Sequence, residues 1–249
     1  DLSRGLGDVY KRQFQGMAGR RFLITGASRG IGFATAQQMA NNGDVPIGLA
    51  RTQPDDFPGE FFSVDLSDRS STQLVLDEVL AAGAIDGVLN NVGIVRPGNI
   101  GEIDLDDWAD VQDITVRSAI QTVQAAMPGM VERKWGRVVN ISSVVSLGGV
   151  VGRSSYGSSK ASLEHLTRMW ALELAQHGIT VNDVAPGPVS TELFRENNPP
   201  GSPGEARYLS MVPLGKLGTV EDISSAVCFL TSESAGWITG QTSVSYTHL

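Results

Sequence analysis

The sequence predicts an α/β fold, a parallel sheet with helices packed on both of its faces. Three observations predict it. Short runs rich in branched and aromatic residues alternate with longer amphipathic stretches, the short runs are apolar on both faces, and a cluster of glycines separates the first run from the first amphipathic stretch. A chain of 249 residues without a linker, a low-complexity tract or an internal repeat fits one large domain of this kind.

Taken in order, the strand candidates are 21–25, 46–50, 60–64, 87–90, 137–142 and 180–185. Each is short and bounded by turn-forming residues. The helical patterns between and after them cover 32–42, 70–82, 108–132, 156–177 and 220–230. The interval from Pro186 to Gly218 has no strong strand pattern and contains the Pro/Gly-rich stretch 195–204. A loop of that length inside a compact domain reads as a lid or a binding loop. On helix 156–177, Leu166, Trp170 and Leu174 recur at helical spacing and read as packing residues.

Composition narrows the function classes. The net charge is −8, from 19 Lys+Arg against 27 Asp+Glu, so the chain has little long-range attraction for phosphate backbones or anionic lipid. Neither nucleic acid nor membrane is an expected partner, and no run approaches the ~18 apolar residues of a membrane span. A single cysteine, Cys228, lies in an apolar run, which gives neither a disulfide framework nor a cysteine-rich metal site. His165 and His177 have no partners at ligand spacing, so no metal is expected. A cytoplasmic location is the expectation that follows. Residues 1–13 lack the architecture of a leader, and 1–13 and 245–249 both read as non-native tails, with a natural start at Met17 and a domain spanning 17–244.

The 29 glycines are concentrated where backbones must turn or approach closely. Gly26-Ala27-Ser28-Arg29-Gly30-Ile31-Gly32 joins the first strand to the first helix, the place where a dinucleotide pyrophosphate binds. Gly26 allows the turn, Gly30 lets the backbone reach the phosphates, and Gly32 lets the helix pack on the strand, while free N–H groups at the helix start face the anion. With this turn the expected architecture becomes a Rossmann-type, doubly wound parallel sheet in a single domain. The spacing GxxxGxG leaves a plain tight βα turn open as an alternative, and no Lys-Ser/Thr pair follows that would make it a Walker phosphate loop.

Tyr156 and Lys160, four apart at the start of a helical pattern, lie one turn apart on one face. A cation near the phenol favours the phenolate and makes the tyrosine usable for acid–base work. A surface i,i+4 pair is the alternative. Ser143, at the end of strand 137–142, lies where a parallel sheet presents its ligand; Ser142 faces the other side of that strand.

Thr25-Gly26-x-x-x-Gly30-x-Gly32, Asn90-Asn91-Val92-Gly93 and Tyr156-x-x-x-Lys160 together resemble the signature set of the short-chain dehydrogenase/reductases, in order and spacing across nearly all of 17–244. Within that family the chain is similar to the 3-oxoacyl-thioester (acyl-carrier-protein) reductases. The resemblance implies that Ser143 hydrogen-bonds the substrate carbonyl, that Tyr156 protonates its oxygen, and that Lys160 lowers the tyrosine pKa and binds the nicotinamide ribose. It assigns to the cofactor Gly26, Ser28, Arg29, Gly30, Ile31 and Gly32; Asp65 and Leu66 after the third strand; Asn91, Val92 and Gly93; Tyr156 and Lys160; and Pro186, Gly187, Val189 and Thr191. The family's fourth catalytic position falls on Thr115, seven residues after Trp108, where relatives carry asparagine. A threonine can hydrogen-bond the preceding turn but offers no amide, so a slower proton relay is expected.

At the end of the second strand, Ala50 and Arg51 stand where a carboxylate would select NAD, and no acid follows until Asp55. A guanidinium suits the 2′-phosphate, and Arg29 points to the same region, so NADP(H) is favoured over NAD(H). Asp55 or Asp56 swinging in remains the alternative. Arg195 and Arg207 among the apolar residues of 193–211 fit a carbonyl substrate with an anionic end. The resemblance implies an NADPH-dependent carbonyl reductase acting on a small-molecule ketone or acyl thioester, in a homodimer or homotetramer. The competing readings are an NAD(P)-dependent alcohol or sugar-alcohol dehydrogenase and a nucleotide-binding scaffold of weak turnover. After Gly240-Gln241-Thr242 the chain diverges from its relatives, which predicts an incomplete last strand.

Overall fold

Seven parallel strands in the order β3-β2-β1-β4-β5-β6-β7 form the sheet, in a computed structural model that describes residues 19–245. The strands are β1 (Arg21–Thr25), β2 (Val45–Ala50), β3 (Glu60–Ser63), β4 (Gly87–Asn90), β5 (Gly136–Ile141), β6 (Ile179–Ala185) and β7 (Thr242–Val244). The helices are α1 (Gly30–Asn41), α2 (Arg69–Ala82), α3 (Leu105–Gln112), α4 (Ser118–Arg133), α5 (Val144–Leu147), α6 (Ser154–Leu174), α7 (Glu192–Asn197), α8 (Pro203–Met211) and α9 (Val220–Thr231). The expected Met17 start and the tail 1–13 lie outside the described residues, as does all of 245–249 except Ser245.

The sheet buries two apolar clusters, one on each face. Leu23, Ile47, Val88, Val138 and Val181 pack with Leu76, Val79, Val123 and Leu174 under α2, α4 and α6. Phe22, Ile24, Leu89, Val139 and Val184 pack with Ala36, Met39, Ile223 and Val227 under α1 and α9. Alternate residues of one strand feed opposite clusters, which is why these strands read as unbroken apolar runs. Strand order reverses between β1 and β4, so the crevice for a ligand opens beyond their carboxyl ends.

Two expectations are corrected. The stretch read as one helix over 108–132 is α3 and α4 joined by a π-helical turn at Asp113–Arg117. The interval 186–218, read as a loop, contains α7 and α8, capped by the Thr191 and Ser202 side chains and packed through the rings of Phe194 and Tyr208, 5.2 Å apart. The last strand is short: β7 pairs with β6, Val184 opposite Ser243, over three residues.

Candidate active site

The glycine turn holds its shape through backbone conformations that only glycine adopts easily. Gly26 and Gly30 have φ of 67° and 59°. A Cβ on Gly32 would lie 2.5 Å from the Gly26 carbonyl oxygen and 2.8 Å from the Asn91 amide nitrogen. Helix α1 then begins at Gly30 with no side-chain cap and no acid in its first turn, whereas α2, α3, α8 and α9 are each capped by a side chain. Uncapped N–H groups at the positive end of a helix dipole, beside a concavity that a side chain would fill, fit a pyrophosphate.

The Asn91 side chain is held within the fold. Its amide donates to the carbonyls of Thr25 (3.0 Å) and Gly26 (3.1 Å), so it ties the end of β4 to the glycine turn. Thr25 completes the tie, its hydroxyl accepting from the N–H groups of Asn91 and Val92. Val92 packs against the core cluster, its Cα close behind Gly26, while Ser28 and Ile31 are half-buried in the turn itself.

Arg29 is also corrected. Its guanidinium faces Glu196 at 3.1 Å and Glu192 at 3.4 Å on α7, not the end of β2. Arg51 remains there, exposed and near enough to Asp65 to help hold its carboxyl below the usual range, after the N–H and hydroxyl of Ser67. Leu66 is buried; its carbonyl accepts from Arg117 at 2.7 Å, as does that of Ser67 at 2.8 Å.

The loop after β6 closes the other side. Val189 is buried and bridges to Gly218, the Pro186 carbonyl accepts from Val144 N–H at 3.1 Å, and Gly187, next in the chain, is half-buried. The Thr191 methyl lies 3.7 Å from the place where a side chain on Gly30 would begin, so this loop stands over the glycine turn. Arg195 does not await an anionic substrate: it donates to Ser190 at 2.8 Å and pairs with Glu205. Arg207 is exposed.

Ser143, Tyr156 and Lys160 are brought together at the carboxyl edge of β5. Ser143 caps α5, accepting from Val145 N–H at 3.3 Å, with its hydroxyl in hydrogen-bonding reach of the Tyr156 phenol. Tyr156 sits in the first turn of α6, which has no side-chain cap and no acid, so the helix dipole favours the phenolate. Lys160 is buried, 5.8 Å from the centre of the Tyr156 ring, and donates to the Ile141 carbonyl at 2.7 Å. The expectation that Lys160 lowers the tyrosine pKa is not met in this structure. Burial pushes the phenol above its ordinary value, and Ser143 and Arg153 pull it back only in part. Burial also brings the Lys160 amine down to about 8 against the opposing charge of Asp183.

Thr115 lies in the π-helical turn, and its buried hydroxyl has no hydrogen-bond partner, so it does not bond the preceding turn as expected. Thr115 Oγ1 and Lys160 Nζ lie 3.7 and 3.1 Å from the position a Cβ on Gly93 would take. That glycine leaves open the small polar space the two groups share. An amide there would partner the orphan position, so Thr115→Asn is expected to keep kcat or raise it a few-fold. A tenfold loss in steady-state assays would count against this placement.

Beside this cluster, the sequence reading missed two buried acids: Asp183, beneath Lys160, and Glu164, whose carboxylate accepts from Ser146. A charged residue in the middle of an otherwise apolar strand was the available signal.

Similar proteins agree with this arrangement. The family described as Enoyl-(Acyl carrier protein) reductase matches residues 26–245. The 3-oxoacyl-[acyl-carrier-protein] reductase FabG of Pseudomonas aeruginosa is 36% identical over 238 residues, covering 91% of this chain and 95% of its own. FabG of Escherichia coli is 35% identical over 233 residues, 90% and 94% of the two chains. A solved structure named as a short chain dehydrogenase/reductase family protein superposes with a TM-score of 0.83 at 33% identity, over 92% of this chain and 96% of that one. Another, a putative NAD(P) dependent gluconate 5-dehydrogenase from Beutenbergia cavernae with bound NADP, gives 0.87 at 29% identity, over 93% and 96%. With the glycine turn, the Asn91 tie and the Ser143, Tyr156 and Lys160 cluster in the family's order on the family's sheet, the chain belongs to the short-chain dehydrogenase/reductases.

Proposed function

We propose that this NAD(P)-dependent oxidoreductase is an NADPH-dependent carbonyl reductase whose substrate is a 3-oxoacyl thioester. The observation that carries the reading is the convergence of Ser143 and Tyr156 above a buried Lys160, across the crevice from an uncapped, glycine-lined helix start. The nicotinamide, when bound, supplies the hydride. Gly26, Gly30 and Gly32 with the start of α1 hold the pyrophosphate, Asp65 and the backbone of Leu66 flank the adenine, and Val92, Gly93, Gly187 and Val189 border the nicotinamide. Ser143 and Tyr156 direct two hydroxyls at one carbonyl oxygen, Tyr156 transfers its proton there as negative charge develops, and Lys160 makes that proton good.

Arg51 supports the choice of NADPH, because it is the exposed cation at the end of β2 while Arg29 is held by Glu192 and Glu196. The test is the initial rate of NADPH and of NADH consumption, followed by absorbance, with a 3-oxobutyryl thioester. NADPH is expected to be the better donor. In Arg51→Ala its KM rises about tenfold, the loss of one charge-assisted contact, with the KM for NADH unchanged. Equal effects on both cofactors would remove Arg51 from the 2′-phosphate site.

The likeness to a gluconate 5-dehydrogenase favours a second reading, oxidation of a sugar alcohol, which the same preparation tests with NADP and a polyol panel. Cofactor binding without turnover in either direction would leave the scaffold reading. A homodimer or homotetramer belongs to the proposal, supported by the exposed Met169 and Leu172 on α6 and by Trp237 at 99% exposure; a monomeric mass by light scattering would overturn it. A cytoplasmic location belongs to it as well, supported by a lone, buried cysteine. No helix among the described residues is long and apolar enough to cross a membrane.

A further inference from the structure

Behind Tyr156 and Lys160 lies a charged cluster that this mechanism does not use. Asp183 is fully buried in the middle of β6, in register with Asn140 of β5. Side chains in register on neighbouring parallel strands leave the same face, and Asn140 donates to Thr167 of α6 at 2.7 Å, so this face is the one α6 covers. Both Asp183 oxygens go to Ser142: one accepts the backbone N–H at 3.0 Å, the other the hydroxyl at 2.5 Å.

The opposite end of that same peptide group is the Ile141 carbonyl, which accepts from Lys160 at 2.7 Å. One peptide therefore carries an ammonium on its oxygen and a carboxylate on its N–H, a bond that N–H shares with the Val184 carbonyl at 2.9 Å. Hydrogen bonds in such a series polarise one another, more so away from water.

We infer that Asp183 is a positioning residue for the reduction, steadying the buried Lys160 ammonium beneath Tyr156 through the Ile141–Ser142 peptide. Its catalytic consequence rests on the reductase reading; the charge coupling itself does not. Among the described residues Lys160 has no carboxylate in ion-pair contact: α6 contributes Tyr156 and Glu164, β5 contributes the uncharged Ser142, and Gly93 and the uncharged Thr115 lie on its remaining side. Burial pushes the Asp183 carboxyl up to about 7, a rise that Glu164 reinforces and that Ser142 and Lys160 oppose. Each charge opposes the effect of burial on the other, so the carboxylate and the ammonium favour one another. Protonating Asp183 removes the charge that holds the Lys160 proton, and Lys160 then gives it up more readily.

Asp183→Asn keeps the shape and removes the charge; its amide oxygen can still accept from the Ser142 N–H, while its NH2 replaces the second acceptor and turns the Ser142 hydroxyl from donor to acceptor. The test follows the four lysines of the chain by ε-carbon NMR on deuterated protein, with Lys160→Met assigning the buried one. The Lys160 midpoint is expected to fall by about one pH unit in Asp183→Asn, a tenfold weaker hold on the proton. The alkaline limb of kcat falls with it, while the KM for the thioester stays unchanged, a pattern that a merely structural role would not produce. Should Asp183→Asn fail to fold, Ser142→Ala, which removes one of the carboxylate's two anchors and leaves the backbone N–H, is expected to move the midpoint in the same direction by less. An unmoved Lys160 midpoint in the folded variant overturns the inference. A moved midpoint in a protein that turns over no ketone overturns the reductase reading and leaves the coupling in place.

Discussion

Replacing Tyr156 with phenylalanine lowers kcat for ketone reduction by about 10² to 10⁴-fold, the usual contribution of a general acid in place, or about 3 to 5 kcal/mol of barrier. The ring stays, so its packing beside Lys160 stays, and NADPH affinity is expected to change by no more than about twofold, since the pyrophosphate is held by the glycine turn some distance away. Isothermal titration with NADPH and steady-state kinetics on one preparation separate the two effects. In the wild-type protein, kcat falls as pH rises through about 8, where Lys160 loses its proton and can no longer restore that of Tyr156. The variant loses this limb together with its turnover. A variant that keeps a tenth of the wild-type kcat would mean that the proton reaches the substrate oxygen by another route, with water or Ser143 the remaining donors in reach.

The sheet was legible because a parallel strand covered on both faces must be apolar at every position. Arg21–Thr25 and Gly87–Asn90 appear in the structure with the limits read from the pattern, and the other central strands within a residue or so of theirs. The π-helical turn was not legible, since Asp113-Ile114-Thr115-Val116-Arg117 keeps a helical alternation and nothing in its residue types marks the one extra residue per turn. Helices α7 and α8 were hidden for the opposite reason: Pro199, Pro200, Gly201 and Gly204 break the pattern, yet they lie between or at the starts of the helices, where breakers are tolerated. Ser202 caps α8 one residue before Pro203, a signal visible in the sequence once the prolines are read as boundaries.

For the site, residue identities carried farther than directions. Ser143, Tyr156 and Lys160 converge as spacing on one strand end and one helix turn requires. Long side chains were the failures. Arg29 and Arg195 were expected to meet anions of a ligand, and each meets carboxylates of its own chain, because a flexible guanidinium takes the nearest partner and the sequence does not reveal which is nearest. The ordering of effects on Tyr156 was also hidden. Proximity to Lys160 argues for a lowered phenol pKa, and burial, which depends on the whole fold, outweighs it.

The second large effect is at the glycine turn, where Gly32→Ala is expected to weaken NADPH binding about 100-fold or more, the scale on which a 1 Å misplacement acts. The added Cβ would meet the Gly26 carbonyl oxygen at 2.5 Å and the Asn91 amide at 2.8 Å. Neither is the free end of a flexible side chain: one is backbone, and the other is fixed by two hydrogen bonds to the turn. Either α1 withdraws from β1 or the turn shifts, and in both cases the uncapped N–H groups lose their common aim. Alanine is the better helix former by about 1 kcal/mol, so helix propensity alone predicts a gain in stability. A lost cofactor site with α1 still folded by circular dichroism therefore points to close approach as the reason for glycine. Gly101→Ala is the matched control, because nothing lies within 4 Å of its Cβ position, and it should leave binding unchanged. An NADPH affinity within threefold of wild type in Gly32→Ala would mean that the pyrophosphate does not sit on this turn, and the assignment of Gly26 and Gly30 would fall with it.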